Sequence, residues 1–191
     1  MMFKFLSLLS ILSVACVRAD HTNLRHLSTY SSTTSSSEER EITITVRNLA
    51  YSQPMSPFFV VVHNRKAPTL FKVGKKASKA LAALAEDADT SGLMAMFDTD
   101  DVAMMKVVKN DQEGEFPKLL LEDGEYTKFT VTVSRDYPYV SMASMAVNTN
   151  DCFVGINAKK LMPGMELVTP GYDAGSELNN EDCAFIPGPA W

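Results

Sequence analysis

The sequence predicts an all-β fold, an antiparallel β-sandwich with one or two short helices, and three observations predict it. From residue 41 onward, apolar and polar residues alternate with a period of two, the mark of strands with one buried face. Short apolar runs then recur at close intervals, separated by turn dipeptides such as Asp123-Gly124, Pro163-Gly164 and Pro170-Gly171. Only Lys79–Asp87 is clearly helical: alanine-rich, with Leu81, Leu84 and Ala85 on one face and Ser78 placed to cap it.

The chain opens with a different pattern. Lys4 precedes an apolar run from Phe5 to Val17 broken only by serines, and Val17-Arg18-Ala19 offers the small residues that a signal peptidase reads. Residues 1–19 are therefore expected to be a signal peptide, since a membrane anchor needs about 20 apolar residues. Residues 20–40 carry almost no core-forming side chains, and Ser28 to Ser37 is nearly all serine and threonine. Such a segment buries too little apolar area to offset its ordering entropy, so a disordered tether is expected there. The folded domain is placed at 41–191.

Within it, Ile42, Ile44 and Val46 alternate with Thr43, Thr45 and Arg47. Phe58 to Val62 is continuous and apolar, as in a strand buried on both faces. Val102–Val108, the alternation around Phe129, Val131 and Val133, Val140–Val147, Phe153–Ile156 and Met165–Val168 complete the predicted strands.

Charge and chemistry narrow the function. Removing residues 1–19 takes away Lys4 and Arg18 and no acid, which moves the net charge from −5 to −7. That balance argues against a general nucleic-acid binder, which needs a basic footprint. The sequence shows no G-x-S-x-G elbow, H-E-x-x-H pair or glycine-rich phosphate loop. Of the histidines, His21 and His26 fall in the tether, and His63 follows a buried run as a hydrogen-bonded strand-end residue would. Cys152 and Cys183 remain after leader removal, and an even count in an oxidising compartment reads as one disulfide. Closing a loop of about 30 residues would contribute roughly 3–4 kcal/mol.

Two clusters invite a ligand. Asn148-Thr149-Asn150-Asp151 and Asp173-Ala174-Gly175-Ser176-Glu177 put carboxylates and carbonyls on adjacent turns, the donor type a calcium ion requires. Ordinary solvated turn acids would look the same. Arg65, Lys66, Lys72, Lys75, Lys76 and Lys79 place six cations in fifteen residues with no intervening acid. They form a candidate patch for sulfated glycans or anionic lipid heads, or simply a solvated face.

Several strings in shared order extend this reading. They are Ser56-Pro57-Phe58-Phe59, Leu70-Phe71-Lys72-Val73-Gly74 leading into Ala80–Asp87, Val140–Met145, Asn150-Asp151-Cys152-Phe153-Val154-Gly155, Asp173–Glu177 and Ile186-Pro187-Gly188-Pro189. Residues from about 41 to 189 thereby resemble the spondin domain of F-spondin and mindin. The resemblance implies an eight-stranded antiparallel sandwich of the calcium- and phospholipid-binding type, with one Ca2+ held by Asp151, Asp173 and Glu177. Glu177 and Tyr172 depart from the aspartate and tryptophan of the animal pattern. It further implies a secreted recognition or adhesion module, not an enzyme, with an extracellular protein or glycan ligand.

A second resemblance concerns the tether. Arg25-His26-Leu27-Ser28 with Glu38-Glu39-Arg40 is similar to the RxLR–EER leader of oomycete secreted effectors, with Ser28 in place of arginine. It raises an alternative, a protein-binding scaffold translocated into a host. A third reading is a hydrolase using the carboxylates at the Asp151–Asp173 end.

Overall fold

A computed structural model describes residues 11–14, 17–18, 38–109, 123–179 and 186. The strands are β1 (Ile11–Val14), β2 (Val17–Arg18), β3 (Arg40–Arg47), β4 (Phe58–His63), β5 (Val102–Val108), β6 (Tyr126–Val133), β7 (Tyr139–Met145), β8 (Cys152–Lys159) and β9 (Leu167–Asp173). Helices α1 (Lys79–Asp87) and α2 (Ser91–Met96) connect β4 to β5.

The strands form two antiparallel sheets, ordered β1-β9-β8-β7-β4-β5 and β2-β3-β6. β1 and β2 lie in the segment read as a leader, leaving seven described strands, β3 to β9, in the domain. The resemblance implies eight; residues 110–122, between β5 and β6, lie outside the described residues. Arg25–Ser28 and most of the tether also lie outside them.

Register explains the smaller sheet. β3 and β6 pair Ile42 with Val131 and Ile44 with Phe129, while Thr43 faces Thr130 and Thr45 faces Lys128. All apolar pairs thus fall on one face, and a slip of one residue would turn them to solvent. That face packs on Phe58, Val60, Val62, Val140, Met142 and Ile156 of the larger sheet to form one core.

The opposite face of the larger sheet is covered as well. Phe59, Val61, Ala143 and Phe153 pack against Leu81, Leu84 and Ala85 of α1 and Leu93 of α2, with Phe97 beside them. The domain therefore has three layers: a small sheet, a large sheet and a helical cover. This is why Phe58 to His63 is buried at every position, as a strand covered on both faces must be.

α1 spans the predicted residues, and Leu81 N–H donates to the Ser78 hydroxyl at 3.2 Å. The helix ends where Ala88 adopts φ 56° and donates its N–H to Leu84.

One expectation fails at the C-terminal side. Pro170-Gly171, read as a turn, lies inside β9, which runs on to Asp173 instead of ending near Val168. β9 pairs with β8 only at Gly171, Tyr172 and Asp173, so Pro170 sits beyond that ladder, where its missing N–H costs no bond to β8. Gly171 is there for space: a Cβ would meet the Cys152 sulfur at 3.1 Å. Both residues that signal a turn are strand residues for local packing reasons.

Candidate functional site

The start of β8 and the turn after β9 meet at one end of the larger sheet. Asp151 is buried, at 3 % exposure, and it organises this end. Its Oδ2 accepts from Ser176 N–H at 2.7 Å, Ser176 Oγ at 3.1 Å and Glu177 N–H at 3.1 Å. Its carbonyl accepts from Ala174 N–H at 3.1 Å. A carboxylate receiving several donors in a water-poor setting is a strong anchor, because ionised acceptors make the shorter and stronger bonds.

Asp173 belongs to the turn itself. Its Oδ1 accepts from Gly175 N–H at 2.6 Å and its Oδ2 from Asn179 Nδ2 at 2.7 Å. Gly175 has φ 68°, the left-handed conformation this bend needs. The Asp173 side chain is exposed.

Glu177 is the unusual member. The residue as a whole is half-exposed, yet its Oε2 is sealed from solvent and has no hydrogen-bond partner among the described residues. That desolvation, followed by the charges of Glu86, Asp151 and Asp87, raises its pKa above the ordinary glutamate value. Glu86 and Asp87 end α1, so the helix brings two acids to this turn that sequence spacing does not signal. Among the described residues no group of three acids, histidines or cysteines is gathered at metal-holding distance.

Cys152 begins β8 beside this cluster. Among the described residues it has no disulfide partner, and its expected partner Cys183 lies outside them. Burial, then the charges of Asp151 and Asp173, push the thiol up to about 11, against a lowering bond from the Tyr172 backbone. At pH 8 the thiolate fraction is then on the order of a thousandth, against about a quarter for an ordinary thiol. After mild reduction, the Cys152 peptide should be alkylated by iodoacetamide about 100-fold more slowly in native protein than in denaturant. Labelling at equal rates would show that this environment does not form.

His63 is a buried strand-end residue. Its Nδ1 lies 2.7 Å from the Asn64 carbonyl, which requires the Nδ1–H tautomer, so Nε2 accepts from the Ser141 hydroxyl at 2.8 Å. Ser141 is fully buried and its Oγ accepts from Ala158 N–H at 2.7 Å, completing a satisfied internal network.

The six predicted cations are all exposed, but the fold separates them. Arg65 borders a hollow of about 270 Å³, with its guanidinium 5.5 Å over the Tyr139 ring and Nε donating to the Tyr139 hydroxyl. Lys72 borders a second hollow of about 360 Å³ and, with Lys75, a third of about 60 Å³. Lys66, Lys76 and Lys79 line none of these three. Lys159, at the end of β8, joins the second hollow and was not part of the sequence cluster. Only the pairing of β8 with its neighbours brings it there.

Two antiparallel sheets with a helical cover, loops tied together at one end and no helix among the described residues long and apolar enough to cross a membrane define a β-sandwich-like module. The family model Spondin_N matches residues 47–166, and the chain belongs to that family. Its domains are of the extracellular recognition and adhesion type. The matched segment contains Asp151 and Cys152 but stops before Asp173 and Glu177. No curated protein matches the chain.

Proposed function

We propose that this protein is a secreted recognition module that binds an extracellular protein or glycan and holds one calcium ion at the end of the sheet where β8 begins. Asp151, Asp173 and Glu177, not gathered at metal-holding distance in this structure, would draw together around the ion, and the charges of Glu86 and Asp87 would favour it. The observation that carries the reading is Glu177 Oε2, a carboxylate oxygen sealed from solvent, without a partner among the described residues and in the field of Glu86, Asp151 and Asp87. Such a group is costly unless a proton or a cation neutralises it. Calcium accepts carboxylate, carbonyl and water oxygens in flexible numbers, which suits a turn of this composition. Asp151 already receives donors from Ser176 and Glu177 across the two turns, and Asp173 from its own turn, so the ion would share their oxygens with those bonds. Bound calcium would stiffen the turn and leave recognition to other surfaces.

Thermal unfolding in calcium and in chelator tests this. A site held at 100 times its dissociation constant adds about 2.7 kcal/mol, or roughly 5–10 °C for a domain of this size. Glu177→Gln separates calcium from ordinary turn chemistry. Because folding raises the Glu177 pKa, the metal-free fold is favoured below the unfolded pKa, and that advantage is lost as pH rises through the folded one. In chelator at pH 7, the variant should therefore melt no lower than the parent. In calcium it should fail to gain the 5–10 °C. An unmoved parent midpoint at millimolar calcium would leave the three acids as turn residues only.

A further inference from the structure

We infer that the three hollows beside β8 form one groove for an acidic polysaccharide chain. The inference deepens the recognition reading above and does not depend on calcium. The hollows are neighbours: Asn157 borders the first and second, while Phe71, Lys72, Val73 and Tyr172 border the second and third. Their volumes are about 270, 360 and 60 Å³. Cations stand along the whole row, Arg65 at one end, Lys72 and Lys159 in the middle and Lys75 at the other end. Among the described residues no acidic side chain lines the first two, and Asp173 enters only at the third. In a chain of net charge −5, a row of cations along one recess is the inverse of the overall field. It would attract an anionic chain that the rest of the surface repels.

The walls fit sugars in particular. Tyr139, Phe71 and Tyr172 are half-exposed and border the hollows, so part of each ring is open to the C–H faces of sugar rings. Phe71 and Tyr172 are held 5.1 Å apart by packing with Phe153, so their orientation is set before a ligand arrives. Asn157 is likewise fixed, because its Oδ1 accepts from Leu70 N–H at 3.1 Å. The Arg65 Nε is taken by the Tyr139 hydroxyl, so a sulfate or carboxylate would meet the terminal guanidinium nitrogens. The floor of the middle hollow includes Gly155 and Ile156 of a buried strand. A narrow polymer reaches such a recess; a membrane surface, being broad and flat, does not.

The test is binding of the purified protein to heparin, with dextran as the uncharged control and phosphatidylserine vesicles as the lipid control, each in calcium and in chelator. Retention on heparin but not on dextran or vesicles is expected in both conditions. Lys72→Glu with Lys159→Glu should weaken heparin binding at least about tenfold. Tyr139→Ala should weaken it severalfold without any change of charge. Lys76→Glu with Lys79→Glu, outside the hollows, should cost less than about threefold. Melting curves of each variant separate lost binding from lost folding. Absence of heparin retention, equal losses from the two lysine pairs, or equal capture by vesicles would each overturn the groove. Heparin binding that persists while calcium leaves the midpoint unmoved would remove the metal reading alone, and a calcium shift without heparin binding would remove the groove alone.

Discussion

Asp151→Ala is expected to lower the unfolding midpoint by roughly 5–15 °C, corresponding to about 2–4 kcal/mol. The substitution removes one buried carboxylate oxygen that accepts three donors, and it leaves the N–H groups of Ser176 and Glu177 without their partner. A charge-assisted bond is worth about 1.5–3 kcal/mol net, and the three bonds share one oxygen, so their losses do not add. The damage should spread along one path. Ala174, next to this turn, accepts from Ala77 N–H at 3.0 Å, and Ala77 leads into α1. Amide exchange at Ser176, Glu177 and Ala77 should therefore accelerate together. Asp151→Asn keeps an acceptor while removing the charge, and it should cost about half as much. A midpoint within about 2 °C of the parent for the alanine variant would show that the turn is held by something else. The measurement stands apart from calcium if it is made in chelator.

Phe59→Ala should cost about 3–5 kcal/mol, the range for a buried phenylalanine whose neighbours collapse only partly. Phe59 is fully buried and its ring centroid lies 5.7 Å from that of Phe97, just beyond α2. The cavity would open between the large sheet and its helical cover, so this variant tests whether α1 and α2 are a layer of the fold. A denaturant titration that shows a lower midpoint with an unchanged slope would place the loss in stability alone. If the helices were only loosely attached, the cost would fall below about 1 kcal/mol, and the three-layer arrangement would have to be given up.

The two acid turns show where sequence reading stops. Asp151, Asp173 and Glu177 were recognisable by residue type and by resemblance, and the fold does bring their segments to one end of the sheet. Their different roles were not legible. Asp151 is an internal anchor because three donors happen to converge on one of its oxygens, and Asp173 is held by its own bend. Glu177 has one oxygen sealed from solvent with no partner among the described residues, and α1 adds the charges of Glu86 and Asp87, about 90 residues earlier in the chain. Nothing in a spacing of four residues announces that. The cation cluster behaves in the same way. Six charges in fifteen residues are visible in a line of text, but which of them border a recess depends on where β8 delivers Lys159 and Asn157.

The sequence by itself determined the local elements. Period-two alternation specified β3 and β6, because a strand with one buried face must alternate. The continuous run at Phe58 to Val62 specified a strand covered twice, and Ser78 with the apolar positions that follow it specified α1 to the residue. Only the tertiary structure decided how these elements are layered, that Pro170 and Gly171 continue a strand, and which acids and cations share a surface. Local pattern reports whether a residue faces a core, since burial leaves a periodic trace along the chain. It does not report which partner supplies that core. Packing between segments far apart in sequence decides that, and the same packing sets the charge environment of every side chain at the candidate site.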